Sequence, residues 1–225
     1  MSIDDLLVWN NQTNDSFYEN EYTEILLRER AQLVGMDTGE DIQVIYDLIG
    51  NQETLLEVGG GYGRVIDCLI AKKFSGKIFV IEKSRILYES LLKKYNKHAI
   101  ICHDDIITYQ PNNKFDVILS LWSGISDFAI EEQGLFIKQL AGLLNSNGKI
   151  FLDIFARDQI PMASNQVKNN YYKIVLNGIP ANGYIPSEIE IRLYCQESKL
   201  YVANIVEYFT NNNIRRLIYI LKKRT

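Results

Sequence analysis

Histidine is nearly missing from this chain. His98 and His103 are the only two among 225 residues, so a histidine-based metal centre has little to build on. Cysteine is scarce too: Cys68, Cys102 and Cys195 lie far apart and form no C-x-x-C, which leaves neither a thiol-redox motif nor a zinc ribbon. Cys68 and Cys102 fall on apolar stretches and are expected as reduced, packed side chains. No apolar run approaches the roughly 20 residues of a membrane span. The start, Met1 to Asp5, has no basic region, and the apolar run Leu6 to Trp9 is too short for a secretory signal, so the expected compartment is the cytoplasm. A net charge of −4 offers nothing special to a nucleic acid. The one basic cluster, Arg215, Arg216, Lys222, Lys223 and Arg224, is split by the apolar stretch Leu217 to Leu221 and reads as the polar ends of a strand. No Cys nucleophile or Ser-His-Asp arrangement is legible.

What is present is an apolar content of 47%, enough for the core of one domain with an appendage, and one informative stretch, Thr54 to Ile66. Leu55, Leu56 and Val58 make an apolar run of the length of a buried parallel strand. Gly59, Gly60, Gly61 and Gly63 follow, and then Val65, Ile66, Leu69 and Ile70 recur at helical spacing. Strand, glycine turn and helix bring bare backbone against a ligand beside a helix N-terminus. A dinucleotide site wants G-x-G-x-x-G. Counted from Gly59 that pattern ends on Arg64, and from Gly61 on Ile66, so it fails both ways. The form that fits is E-x-G-x-G-x-G, with Glu57, Gly59, Gly61 and Gly63. It resembles the first motif of class I S-adenosylmethionine-dependent methyltransferases, whose loop passes under the methionine portion of the cofactor. That cofactor carries a sulfonium and an ammonium, so an acidic Glu57 at the strand end is an asset.

The rest of the chain alternates. Helices are expected over 24–34 and 40–49, after an irregular polar and aromatic arm at 1–23. Strands are expected at 77–82, 99–102, 115–121 and 149–155. Between them come a helix capped by Ser84, with Leu87, Leu91 and Tyr95 on one face, and another over 130–144 broken by Asn145 to Gly148. Such alternation demands an α/β fold, a Rossmann-like doubly wound, mostly parallel sheet with helices on both faces. Residues 156–187 read as loop-rich with one strand at 171–176. Glu188 to Tyr194 alternates Ile189, Ile191 and Leu193 against polar residues, which reads as a strand. Residues 200–209 fit strand better than helix, and 214–221 is a last strand, giving a C-terminal antiparallel β meander. The expected organisation is an N-terminal helical arm or cap at 1–50, a cofactor-binding core at 51–156, and loop and antiparallel strands at 157–225 that act as substrate lid or complete the sheet.

Ligands of open α/β sheets bind outside the carboxyl ends of the strands. Glu82 ends the second strand, where a carboxylate can take two hydrogen bonds from a ribose diol; otherwise it is a solvated residue before a helix. After the third strand either Asp104 or Asp105 can accept from an adenine amino group, or both are turn residues. Asp105 followed by Ile106 is the closer match to the family pattern. After the fourth strand come Ser120, Trp122, Ser123, Ser126 and Asp127, in a segment that lines the methyl-transfer centre in this family. Asp127 either caps the helix ahead or accepts a proton. The resemblance covers roughly 50–155 and points to the small-molecule branch, in which an N-terminal arm brings tyrosines over the cofactor, here Tyr18 and Tyr22. It implies S-adenosyl-L-methionine as cofactor, a small-molecule acceptor methylated on N or O, and neither nucleic acid nor membrane as partner. Such enzymes usually continue into another helix and a final hairpin, a helix this pattern does not supply. The rival readings are a nicotinamide-dependent oxidoreductase and a non-catalytic cofactor-binding protein.

Overall fold

The computed structural model describes residues 13–156, 164–168 and 171–224. Five parallel strands stand where the apolar runs predict them: β1 (Thr54–Val58), β2 (Lys77–Glu82), β3 (Ile100–His103), β4 (Phe115–Ser120) and β5 (Leu144–Phe155). β9 (Leu200–Phe209) and β10 (Arg215–Lys223) form a hairpin, and β10 lies antiparallel against β5, so the sheet runs β3-β2-β1-β4-β5-β10-β9. A separate antiparallel sheet holds β6 (Ser164–Lys168), β7 (Tyr171–Leu176) and β8 (Ile179–Tyr184). The helices are α1 (13–18), α2 (Thr23–Val34), α3 (Glu40–Ile45), α4 (Arg64–Ala71), α5 (Arg85–Tyr95), α6 (Ile130–Leu143) and α7 (Glu188–Glu197). No helix among the described residues is long and apolar enough to cross a membrane.

The strands are apolar on both faces because both faces are covered. Adjacent side chains point opposite ways along a strand. Leu56, Ile118, Ile150 and Leu152 therefore join one layer with Phe136 and Leu140 of α6 and Ile191 of α7. Leu55, Val117, Leu119 and Phe151 join the other with Ile42 of α3, Ile66 and Leu69 of α4, and Leu91 of α5. A third cluster ties α1 and α2 to the small sheet through Phe17, Leu26, Leu27, Tyr172 and Ile174, and reaches Tyr62 and Leu87 of the main fold. That cluster roofs the carboxyl ends of β1, β2 and β4.

The structure departs from the sequence reading in several places. Glu188–Glu197 is helix, not strand. Ser187 and Glu190 form a capping box, the Ser187 hydroxyl accepting from the Glu190 N–H and the Glu190 carboxylate from the Ser187 N–H. The buried pair is Ile191 and Cys195, four residues apart, while Ile189 is 81% exposed. Four-residue spacing thus overrides the alternation. With α7 and the β9–β10 hairpin in place, the helix and final hairpin that the resemblance implies are both present. Asn145 to Gly148 do not form a separate turn: they lie inside β5 as a bulge, since Phe115 pairs with Leu144 and Val117 with Lys149. Residues 13–18 are helical where an irregular arm is expected, while residues 1–12 lie outside the described residues. The loop-rich 156–187 contains β6 and β8 besides the expected β7.

Candidate active site

A cavity of about 650 Å³ opens at the carboxyl ends of β1, β2, β3 and β4, under the roof made by α1, α2 and β7. Its floor is the turn after β1. Gly59 (φ 74°) and Gly61 (φ 54°) hold left-handed backbone. A Cβ on Gly59 would meet nothing, and one on Gly61 only Leu27 at 3.9 Å, so both present bare backbone to the cavity. Gly60 and Gly63 have another reason to be glycine. A Cβ on Gly60 would lie 2.5 Å from Val80, and one on Gly63 2.3 Å from the Tyr95 ring. Gly60 still lines the cavity; Gly63 sits behind it, opening α4.

Two carboxylates face this floor. Glu57 is buried at the end of β1, and its Oε2 has no hydrogen-bond partner among the described residues. Burial pushes its carboxyl well above the usual range; Arg64 pulls the other way, and Asp41 and Glu82 add to the rise. Glu82 accepts from the Gly61 N–H and the Ser84 N–H, each at 2.9 Å. Burial nevertheless raises it to about 7. Ser84 caps α5, accepting from the Leu87 N–H, and donates its hydroxyl to the Tyr18 carbonyl at 2.8 Å, which ties the roof to the sheet. Asp104, Asp105 and Ile106 all line the cavity. Asp104 accepts from the Asp105 N–H, while Asp105 accepts from the Ile107 N–H and faces Lys83 at 3.5 Å.

Opposite the glycine turn, Trp122 and Ser123 follow β4 with φ of 51° and 62°, left-handed values that side chains seldom adopt. A buried network holds them there. The Ser123 N–H donates to the Asp153 carbonyl at 3.1 Å, Arg216 donates to the Ser123 hydroxyl at 2.7 Å and to Asp153 Oδ1 at 3.1 Å, and Tyr208 donates to Asp153 Oδ1 at 3.0 Å. Arg216, expected at the polar end of a strand, is fully buried. The Trp122 ring lines the cavity, edge-on to Tyr62 at 6.4 Å, and its Nε1 has no partner among the described residues.

Tyr18 and Asp127, the two residues the sequence offers for chemistry, are bonded to each other. The Tyr18 hydroxyl donates to Asp127 Oδ2 at 2.7 Å, inside the cavity. Burial lifts Asp127 to about 6, against the Tyr18 hydrogen bond and the Arg30 charge. Tyr22 does not join them: it precedes α2, 55% exposed and away from the cavity. Ser120 is buried outside the cavity lining, with its hydroxyl unpartnered. The sequence reading missed Arg30, Tyr62, Arg64 and Tyr172, which all line the cavity. Arg30 carried a signal: it lies three residues after Leu27 and four after Leu26, on the buried stripe of α2.

No family profile matches the sequence, and no curated protein is significantly similar to it. Solved structures are similar in shape. An S-adenosylmethionine-dependent methyltransferase from Clostridium acetobutylicum superposes with a TM-score of 0.72 at 14% identity, over 92% of this chain and 100% of that one. An amino pentose methyltransferase from Micromonospora echinaspora, solved with S-adenosylmethionine bound, gives 0.65 at 12%, over 87% and 95%. The 1,6-didemethyltoxoflavin-N1-methyltransferase of Burkholderia thailandensis, solved with its substrate and S-adenosylhomocysteine, gives 0.62 at 12%, over 89% and 88%. This chain has the class I methyltransferase fold.

The residues of this methyltransferase fold suit a cofactor that is cationic at one end and a nucleoside at the other. Burial favours the neutral form of Glu57, whose Oε2 has no donor among the described residues, and a positive group on a ligand would favour its ionised form. Gly59 and Gly61 leave room for a ligand against their backbone, and Glu82 keeps a lone pair beyond those its backbone donors use.

Proposed function

We propose that this chain is an S-adenosylmethionine-dependent methyltransferase acting on a nitrogen or oxygen atom of a small molecule. The observation that carries the reading is the buried Glu57, whose Oε2 has no hydrogen-bond partner among the described residues, beside the open backbone of Gly59 and Gly61. In this reading Glu57 and the glycine turn hold the methionine portion, Glu82 the ribose, and Asp104, Asp105 and Ile106 the adenine. When bound, S-adenosylmethionine supplies a methyl carbon already activated by a positive sulfur.

The chain's own work is then alignment and exclusion of water. Leu27, Tyr62 and Trp122 wall the cavity with apolar surface. A hydroxyl acceptor needs a proton acceptor, and Asp127, raised to about 6, is suited to it; an amine attacks in its neutral form without one. Tyr18 holds the Asp127 carboxyl in place. The described part of residues 1–50 serves as cap, 51–156 as cofactor-binding core, and the small sheet of β6, β7 and β8 as lid over the acceptor. The nicotinamide reading draws less support: G-x-G-x-x-G fails, and an antiparallel strand follows β5 where a dinucleotide fold runs parallel. Release of S-adenosylhomocysteine, measured over amines, alcohols and sugars, tests the activity. Silence across that panel with cofactor binding intact would favour a non-catalytic binding protein.

A further inference from the structure

Three arginines stand at the wall made by α2, Tyr62 and Trp122, and two have their charge matched. Arg28 pairs with Glu24 at 2.9 Å, and Arg64 with the buried Asp41, Nη2 to Oδ2 at 2.7 Å. Arg30 has no carboxylate within ion-pairing distance among the described residues, yet it lines the cavity, half-buried, its guanidinium 5.8 Å from the centre of the Trp122 ring. Beside it the Trp122 Nε1–H is buried with no acceptor. Asp127 feels the Arg30 charge without forming an ion pair with it, and its Oδ2 takes the Tyr18 hydroxyl at 2.7 Å. So the wall of the cavity around Trp122 presents a cation and a buried donor with no acceptor among the described residues, and the rings of Tyr62, Trp122 and Tyr172 line the same cavity.

The Arg30 guanidinium reaches the Tyr172 hydroxyl but no carboxylate among the described residues, and with five N–H groups it keeps donors to spare. That cation and the Trp122 Nε1–H together call for an anionic acceptor on the ligand. Flat aromatic walls call for a planar body. We infer that the acceptor molecule is a small planar compound bearing an anionic oxygen group, a carboxylate or a phosphate ester, which Arg30 and the Trp122 Nε1–H receive. Arg30 is then the residue that selects the acceptor. The inference rests on the methyltransferase reading, because it places the acceptor in the volume that the cofactor leaves.

The test uses protein saturated with S-adenosylhomocysteine, whose binding is first measured by calorimetry on the wild type and on Arg30→Gln. The probes are benzoate, anthranilate and phenyl phosphate, set against benzamide and aniline and followed by saturation-transfer NMR. The anionic probes are expected to bind at least about tenfold more tightly than the neutral ones, as a charge-assisted pair implies. Arg30→Gln should erase that preference, Arg30→Lys should restore part of it, and both should bind S-adenosylhomocysteine as the wild type does. A preference for phenyl phosphate over benzoate would assign the phosphate form, and the reverse the carboxylate. Equal binding of benzamide and benzoate, a preference that survives Arg30→Gln, or no binding of any probe to the loaded protein would overturn the inference. Failure of S-adenosylhomocysteine to bind the wild type would instead overturn the functional reading beneath it.

Discussion

Replacing Glu57 by glutamine separates a residue kept for a ligand from one kept for the fold. The side chain is 5% exposed at the end of β1, and Oε2 finds no donor among the described residues. Its carboxyl is held well above the usual range by burial, with Arg64 opposing and Asp41 and Glu82 assisting. A group raised in the folded state stabilises fully below its unfolded value, near 4.3, and loses that contribution as pH rises toward the folded value. Glutamine has the same shape and does not titrate. The melting temperature of Glu57→Gln relative to wild type should therefore climb as pH rises above about 4.3. In the alkaline range the variant should match or exceed the wild type to within about 4 °C, the shift of roughly 1 kcal/mol for a chain of this length. Binding should go the other way. Loss of a charge-assisted contact to the cationic cofactor removes about 1.5–3 kcal/mol, a 10- to 150-fold rise in Kd. Calorimetric titration with S-adenosylmethionine, beside differential scanning calorimetry across pH, reads both. A variant that melts far below wild type while its Kd is unchanged would make Glu57 structural and refute the reasoning.

Glu82 stands at about 7 in the free protein and a ribose diol donates to its ionised form, so cofactor affinity should rise with pH and level off above 7, falling about tenfold one unit below it; Glu82→Gln should flatten the profile, and a wild-type Kd constant from pH 6 to 8 would count against the assignment. Gly61→Val should fold, at a backbone cost of about 1–2 kcal/mol, and lose S-adenosylhomocysteine binding; Gly63→Ala, driven into Tyr95, should cost about 1–3 kcal/mol more and keep binding, and the opposite pattern would exchange their roles. Arg216→Met leaves Asp153 buried without its partner, which costs about 3–5 kcal/mol and lowers the melting temperature by about 6–20 °C. It should also change Trp122 fluorescence, and an unaltered melting curve would show that the pair does not hold the loop.

The core was legible because its signal is strong and local. Lys77 to Glu82, read as a strand from composition, is β2 residue for residue, and Ser84 caps the helix after it. The glycine stretch disclosed the turn after β1 and the carboxylate beside it, though not that Gly60 and Gly63 are glycine for packing against Val80 and Tyr95. Long-range placement was not legible. An antiparallel tail completing the sheet was expected, but nothing in Arg215–Lys223 announces that β10 lies between β5 and β9, because register and neighbour are set by packing. Ile189, Ile191 and Leu193 fit period two, and the capping box at Ser187 and Glu190 was the competing signal that went unread. β6 and β8 lie in a stretch whose prolines, glycines and asparagines read as loop, and pairing with β7 overrides that local preference. In the site, the strand-end residues were visible individually. The contact of Tyr18 with Asp127 spans 109 positions and exists only once α1 folds over the sheet.

The central claim is that the turn of Gly59 and Gly61 with Glu57 and Glu82 receives an S-adenosyl nucleoside. A crystal of this protein soaked with S-adenosylhomocysteine measures it directly. The account predicts density in which the amino-acid end meets Glu57 and the glycine turn and the ribose meets Glu82. Density for that nucleoside anywhere else on the molecule, or a saturated crystal with none in the cavity, would contradict it.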